Sequence, residues 1–290
     1  MELLQLLQQN PLLFIFLITL IGLMVGSFLN VVAYRLPLMM EREWRSQCHE
    51  ILELSPAEEE SPFTLSRPRS ACPKCGHPIA AKENIPIISY LLLRGRCSGC
   101  NTAISPRYPI VELTTALLSL IVAWHFGFSW QCAAALPLTW ALITLTLIDF
   151  DHQLLPDSIV IPGLWGGLIL TLFGLFSDTQ SALIGAVAGY LSLWTVFQLF
   201  KLLTGKEGMG YGDFKLFALL GAWLGWQYLV QILLLSSVVG ALVGVSLIIF
   251  RGRDRTIPIP FGPYLAAAGW ISLLWGEQIN HAYLQWAGLV

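Results

Sequence analysis

Two short acidic motifs stand out because long uncharged segments surround them. The first contains Asp149, Asp151 and Asp157, and the second is Gly210-Tyr-Gly-Asp213. Carboxylates at the edge of apolar segments are costly, and they mark functional sites by default. Two carboxylates from different helices that lie a few ångströms apart share a proton. One of them can take a proton from water while the other donates a proton to a peptide carbonyl, which is the chemistry of an aspartyl protease.

Each aspartate also has a purely structural interpretation. Asp157 and Asp213 can each cap a helix N-terminus, and Asp151 can be a loop residue. The glycines of the second motif suit a sharp, open turn where a substrate backbone can approach Asp213. The residues alone therefore leave Asp149, Asp151 and Asp157 as open alternatives for one acid of a pair.

Four cysteines form a second chemical pattern, Cys72-Pro-Lys-Cys75 and Cys97-Ser-Gly-Cys100. Two such pairs at this separation are typical of a zinc site, in which each pair holds the ion from a tight turn. Four thiolates would close a tetrahedral, structural site with no open position for water. Two disulfides or redox chemistry at one pair are the alternatives, and a cytoplasmic location disfavours disulfides.

The elements that must position these residues are membrane helices. Hydrophobic residues make up 56% of the 290-residue chain and charged residues 12%, about half the share of a soluble domain. A spanning helix needs roughly 20 apolar residues. We predict an all-α polytopic protein with about eight spans, near 11–33, 109–126, 131–149, 158–176, 181–203, 214–228, 230–250 and 261–275. Breaks are expected at Gly127 and Gly225, inside the two longest uncharged runs.

The distribution of positive charge predicts the orientation in the membrane. Ten of the sixteen Lys and Arg residues lie between Arg35 and Arg107. The other six form two clusters, Lys201, Lys206 and Lys215, and Arg251, Arg253 and Arg255. With eight spans and both termini in the periplasm, all three groups fall in the cytoplasm, as the positive-inside rule requires. Both acidic motifs then lie at the cytoplasmic ends of spans.

These patterns divide the chain into three parts. We expect a retained first transmembrane anchor at 1–34, a small cytoplasmic insert with the cysteine site at 35–107, and a seven-helix membrane domain at 108–290. The polar insert is too small to bury much core, so its metal would supply much of its stability.

An ordered set of motifs along nearly the whole chain resembles the signatures of bacterial type IV prepilin peptidases. These are Gly26-Ser-Phe-Leu-Asn30 with Arg35-Leu-Pro37, the four cysteines, Asn84-Ile-Pro-Ile-Ile-Ser-Tyr90, Tyr108-Pro-Ile-Val-Glu112, Asp149-Phe-Asp-His-Gln-Leu-Leu-Pro-Asp157 and Gly210-Tyr-Gly-Asp213-Phe-Lys215.

The resemblance implies a membrane aspartyl protease of the bacterial inner membrane, with Asp149 and Asp213 as the catalytic pair. Its substrates would be type IV prepilins and the pseudopilins of type II secretion, whose basic leader is cut at the cytoplasmic face before an apolar helix. It also implies transfer of a methyl group from S-adenosylmethionine to the new N-terminus. No glycine fingerprint for that donor follows a predicted strand, so no residue is assigned to it. The expected partners are these substrates and the lipid bilayer, without nucleic acid.

Two other hypotheses are compatible with some of these features. One is a peptidase without methyltransferase activity. The other is a transporter or channel with a zinc-stabilised loop, which would place acidic residues near the bilayer midplane, often in broken helices.

Overall fold

The structure is a computed structural model that describes residues 2–53, 62–251, 259–286 and 288. Two basic residues of the third charge cluster, Arg253 and Arg255, lie outside this range. Apart from two isolated β-bridges near the cysteines, the described secondary structure is helical. The helices are α1 (Glu2–Gln9), α2 (Pro11–Ile51), α3 (Ile88–Leu92), α4 (Arg107–Phe126), α5 (Trp130–His152), α6 (Asp157–Thr171), α7 (Thr179–Thr204), α8 (Tyr211–Leu224), α9 (Leu229–Arg251) and α10 (Gly262–Trp286).

Each predicted span coincides with α2 or with one helix from α4 to α10. Within the described residues, five segments are long and apolar enough to cross a membrane, namely Pro11–Ile51, Arg107–Phe126, Trp130–His152, Thr179–Thr204 and Trp226–Leu247. The chain is therefore an all-α polytopic membrane protein, and crossing by α6, α8 and α10 stays a prediction. Both predicted breaks are confirmed, because Gly127 (φ 60°) and Gly225 (φ 87°) directly follow α4 and α8.

The helix α2 is far longer than a membrane is thick. Its 41 residues measure about 60 Å, whereas the hydrocarbon core is about 30 Å thick. It runs without interruption past residue 34, so the predicted anchor and the start of the predicted insert share one helix. The division of the chain into an anchor, an insert and a membrane domain, with boundaries after residues 34 and 107, therefore stays a prediction.

The chain forms two compact units, Met1–Cys132 and Ala133–Val290. In the first unit, α2 crosses α4 at two glycines. A Cβ atom on Gly22 would lie 2.8 Å from Ser119 Oγ, and one on Gly26 would lie 2.7 Å from Glu112 Cα. Glycines four residues apart allow two helix backbones to approach this closely, which is how many membrane helices associate.

The second unit is built around α8. Although α8 has only 14 residues, about 21 Å, almost all of them from Asp213 to Leu224 are buried. A Cβ atom on either Gly185 of α7 or Gly221 of α8 would collide with the other helix's backbone. On the α6 side, Trp223 Nε1 donates a hydrogen bond to the carbonyl of Gly163 at 2.8 Å. Protein helices rather than lipid therefore surround the helix that carries Asp213.

Candidate active site and metal centre

The second unit brings two buried carboxyl groups from different helices together. Asp149 lies in the last turn of α5 and is 5% exposed, and Asp213 lies in the first turn of α8 and is 7% exposed. The two side chains interact electrostatically. A buried carboxylate without compensation is expensive, so each acid needs a source of positive potential. For Asp213 that source is the N-terminus of its own helix.

Asp149 receives its compensation from a residue that the sequence did not reveal. The backbone N–H of Gly262, the first residue of α10, donates a buried hydrogen bond to Asp149 Oδ2 at 3.0 Å. A Cβ atom at this position would lie 2.6 Å from the same oxygen, so only glycine fits without displacement. The signal that could have found it is Pro260-Phe-Gly262-Pro263, a glycine between prolines at the start of the last apolar segment.

The glycine before Asp213 serves close packing. A Cβ atom on Gly212 would lie 2.8 Å from Leu155 Cβ, and one on Gly262 would lie 3.2 Å from Leu155 Cδ2. The Leu155 side chain therefore packs against the start of α8 and the start of α10, beside both acids. Gly210 has φ −78° and ψ 147°, an extended conformation that other residues adopt. Position 212 therefore requires glycine because a side chain there would collide with Leu155. Contrary to the expectation from the sequence, the turn does not require glycine's conformational freedom at position 210.

The other two acids of the first motif lie elsewhere. Asp157 is the first residue of α6, and both of its carboxylate oxygens accept hydrogen bonds from Lys215 Nζ, at 2.7 and 2.8 Å. Asp151 is exposed. Of the three open alternatives, only Asp149 is buried and interacts with Asp213.

The four cysteines form one cluster in the first unit. Their sulfur atoms all lie within 4.8 Å of one another, and the Cys72–Cys100 and Cys75–Cys97 pairs are each 3.9 Å apart. These separations are far too long for disulfides. Tetrahedral zinc with bonds of about 2.3 Å requires sulfurs about 3.8 Å apart. The cluster can therefore hold a metal ion, and its spacing fits zinc.

Two similar turns build this cluster. The N–H of Cys72 bonds the carbonyl of His77, and the N–H of Cys97 bonds the carbonyl of Thr102, both at 2.9 Å. Each turn contains a left-handed residue directly after its second cysteine, Gly76 (φ 71°) in one and Asn101 (φ 56°) in the other. Glycine and asparagine are the residues that adopt this conformation most readily.

The turns favour the metal-binding thiolate form at two of the four cysteines. The side chain and the backbone of Thr102 hydrogen-bond the Cys100 sulfur and lower the pKa of its thiol to about 6. Backbone hydrogen bonds from Cys75 and Lys74 lower the pKa of Cys72. At Cys75 a backbone hydrogen bond from His77 lowers the pKa of the thiol, but the hydrogen bond with the Cys100 sulfur and burial outweigh it and raise that pKa to about 12. The side chain of His77, a possible ligand by residue type, instead lies 3.5 Å from a carboxylate oxygen of Glu83.

The remaining signature residues attach the cysteine region to the membrane helices. Buried Glu112, on α4, accepts the N–H of Ile87 at 2.7 Å, directly before α3. Asn30 Nδ2 donates to the carbonyls of Gly26 and Tyr108, and so joins α2 to the start of α4. The Arg35 guanidinium is buried and donates to the backbone carbonyl of Thr64 at 2.9 Å. These residues have a positioning role that their types did not predict.

Fold and site together define a polytopic membrane protein with a buried pair of aspartates and a four-cysteine cluster that can hold a metal ion. The model of the bacterial peptidase A24 N-terminal domain matches residues 20–126, and the model of the type IV leader peptidase family matches residues 136–245. The chain belongs to the type IV leader peptidase family.

Three relatives are similar to the chain along nearly their whole length. A prepilin leader peptidase/N-methyltransferase of Pseudomonas aeruginosa is 60% identical, over 99% of this chain and 99% of the relative. Proteins of the same name from Stutzerimonas stutzeri and Aeromonas hydrophila are 59% and 57% identical, each covering at least 97% of both chains. No solved structure has significant similarity to this chain.

Proposed function

We propose that this chain is an inner-membrane enzyme that cleaves the basic leader from type IV prepilins and from type II secretion pseudopilins. The observation that carries the proposal is the buried, electrostatically interacting pair formed by Asp149 on α5 and Asp213 on α8. Relatives that match nearly the whole chain bear the name prepilin leader peptidase/N-methyltransferase.

The pair supplies the acid and the base of peptide hydrolysis. One carboxylate removes a proton from a water molecule, whose oxygen attacks the scissile carbonyl carbon. The other, protonated, aspartic acid donates its proton to the carbonyl oxygen. When the tetrahedral intermediate collapses, the leaving nitrogen takes the proton that the first carboxylate removed from water, and the carbon–nitrogen bond breaks. The carbonyl re-forms and returns its proton to the second aspartate. The Gly262 N–H holds Asp149 in place during these steps, because it is a fixed backbone donor at the start of a helix.

The proposed orientation places this chemistry at the cytoplasmic side. Basic residues concentrate between Arg35 and Arg107, which puts the cysteine region in the cytoplasm and both chain termini in the periplasm. A substrate with its basic leader in the cytoplasm and its apolar helix in the bilayer then presents the junction between them near Asp149 and Asp213.

Methylation of the new N-terminus is the second proposed activity, with S-adenosylmethionine as the donor. The donor supplies an electrophilic methyl group, and the product's terminal amine must lose a proton to attack it. The name of the relatives supports this activity. No residue is assigned to the donor.

Zinc is the metal proposed for Cys72, Cys75, Cys97 and Cys100. Four thiolates leave no open ligand position, so the ion would stabilise the cysteine region and would take no part in hydrolysis. The sulfur spacing supports this assignment.

Mass spectrometry of a prepilin incubated with the purified enzyme tests both activities. We expect cleavage after the leader, and a single added methyl group only when S-adenosylmethionine is present. Asp149→Asn and Asp213→Asn should each reduce cleavage by about 10³-fold or more, because the acid–base pair is broken. Asp151→Asn is the matched control, since Asp151 is exposed in the same motif.

The outcomes separate the parts of the proposal. Cleavage without methylation would keep the peptidase and remove the transferase. Wild-type activity in Asp149→Asn or Asp213→Asn would remove that residue from the pair. If a folded, metal-loaded enzyme produced neither product, the proposed function would be wrong.

A further inference from the structure

A cavity of about 280 Å³ opens between α9 and the segment that leads into α10. It is lined on the α9 side by Ser237, Gly240 and Ala241, and on the other side by Ile259, Phe261 and Tyr264. We call this space the α9–α10 groove. A Cβ atom on Gly240 would lie 3.3 Å from the Tyr264 ring, so the glycine lets this ring pack closely against α9 at one wall of the groove.

One residue that lines the groove, Phe261, directly precedes Gly262 in the chain. The N–H of Gly262 donates to Asp149 Oδ2 at 3.0 Å, so the groove adjoins the peptide unit that bonds one of the two acids. A substrate group in the groove next to Phe261 would therefore lie only a few atoms from the hydrogen bond between Gly262 and Asp149.

The groove also lies within the membrane and is accessible. Its α9 residues belong to the apolar segment Trp226–Leu247. In the described part of the chain, α9 is exposed on the groove side at Ser237 and Ala241, and on the opposite side at Val239 and Leu242. The opposite side is an ordinary lipid-facing surface. The groove side is concave and includes Phe261, the residue before the glycine that bonds Asp149.

We propose that the α9–α10 groove receives the apolar segment of the prepilin that directly follows the scissile bond. This inference rests on the proposed function. The substrate must place its scissile carbonyl at Asp149 and Asp213, while the residues after the bond are apolar and helical. Phe261, which lines the groove, is one residue from the Gly262 N–H that bonds Asp149, so the residues directly after the scissile bond are the ones within reach of the groove. The groove thus recognises the first turn of the mature pilin, next to the new N-terminus.

A bulky substitution in the groove tests this assignment. Ala241→Phe fills the groove, and Val239→Phe places the same ring on the opposite, lipid-facing side of α9 as a matched control. Two substrates are compared, a full-length prepilin and a short peptide that ends two residues after the scissile bond. We expect Ala241→Phe to lower kcat/KM for the prepilin by about tenfold or more, because an inserted ring displaces the helix. Its cleavage of the short peptide, and both activities of Val239→Phe, should match the wild type.

Two results would overturn the proposed role of the groove and leave the proposed function intact. One is cleavage of the prepilin by Ala241→Phe at the rate of Val239→Phe, and the other is an equal loss by Ala241→Phe on both substrates. Failure of the wild-type enzyme to cleave either substrate would instead overturn the proposed function, and the groove with it.

Photo-cross-linking gives a second test that does not depend on a groove variant. A prepilin with a benzophenone-bearing residue three positions after the scissile bond is bound to full-length Asp213→Asn enzyme in a lipid nanodisc. Peptide mapping should find the adduct within residues 237–244 or 259–264. Adducts confined to other helices, or to lipid, would overturn the proposal.

Discussion

Replacing Gly262 by alanine tests whether this residue positions Asp149. The new Cβ atom would lie 2.6 Å from Asp149 Oδ2, whereas non-bonded atoms prefer at least about 3.4 Å. The carboxylate and the backbone must therefore separate by about 0.8 Å. The 3.0 Å hydrogen bond then lengthens to about 3.8 Å, beyond the range in which such a bond counts.

The expected cost follows from that geometry. A hydrogen bond to a charged group contributes about 1.5–3 kcal/mol, which corresponds to about 10- to 150-fold in rate. Misplacing a catalytic group by about 1 Å costs a similar 10²-fold. Both routes predict that Gly262→Ala lowers kcat for prepilin cleavage by about 10²-fold, with little change in KM.

The assay is prepilin cleavage by purified enzyme at several substrate concentrations, followed by gel or mass spectrometry. Gly166→Ala is the matched control, because no other atom lies within 4 Å of a Cβ at that α6 position. We expect it to retain wild-type kcat. A wild-type kcat in Gly262→Ala would refute the reasoning, and so would a loss of activity fully explained by a lower unfolding temperature.

Two further predictions concern the other clusters. Cys72→Ser should remove zinc from the purified protein, because it removes one of the four thiolates. Cys48→Ser changes an exposed cysteine outside the cluster and should retain about one ion per chain. Elemental analysis measures the metal content, and a metal-free wild type would contradict the assignment. Lys215→Met should lower thermal stability by only about 0.5 kcal/mol, because its partner Asp157 is 59% exposed and water screens the pair. The exchanged pair Asp157→Lys with Lys215→Asp should recover that loss in a thermal unfolding scan, and a loss of several kcal/mol in Lys215→Met would show a larger role.

The helices and the metal centre could be predicted because their signals are local. Long uncharged runs marked the spans, and glycines at 127 and 225 marked the breaks where the structure has positive φ. The cysteine spacing predicted a single cluster, which the structure contains. In each case the residues that determine the feature are close together in the chain.

The features that the sequence did not reveal depend on contacts between distant residues. Gly262 supports an acid 113 positions earlier in the chain, and nothing near it resembles a catalytic motif. The role of Glu112 also depends on a distant partner, because its carboxylate accepts a backbone N–H 25 positions earlier. Composition likewise cannot show that the short helix α8 is enclosed by protein, since its Gly, Ala and Trp residues matter only through the helices that pack on them.

The distance in sequence between Asp149 and its donor determines when this site can first exist in a growing chain. Ribosomes add about 5–20 residues per second, so the 113 residues that separate the two positions take roughly 6–23 seconds to make. During that interval Asp149, and later Asp213, are already in the nascent chain without the backbone N–H that bonds Asp149. A chain that stops before α10 contains both acids but lacks that donor. Synthesis order thus delays full assembly of the pair until the start of α10 has been made.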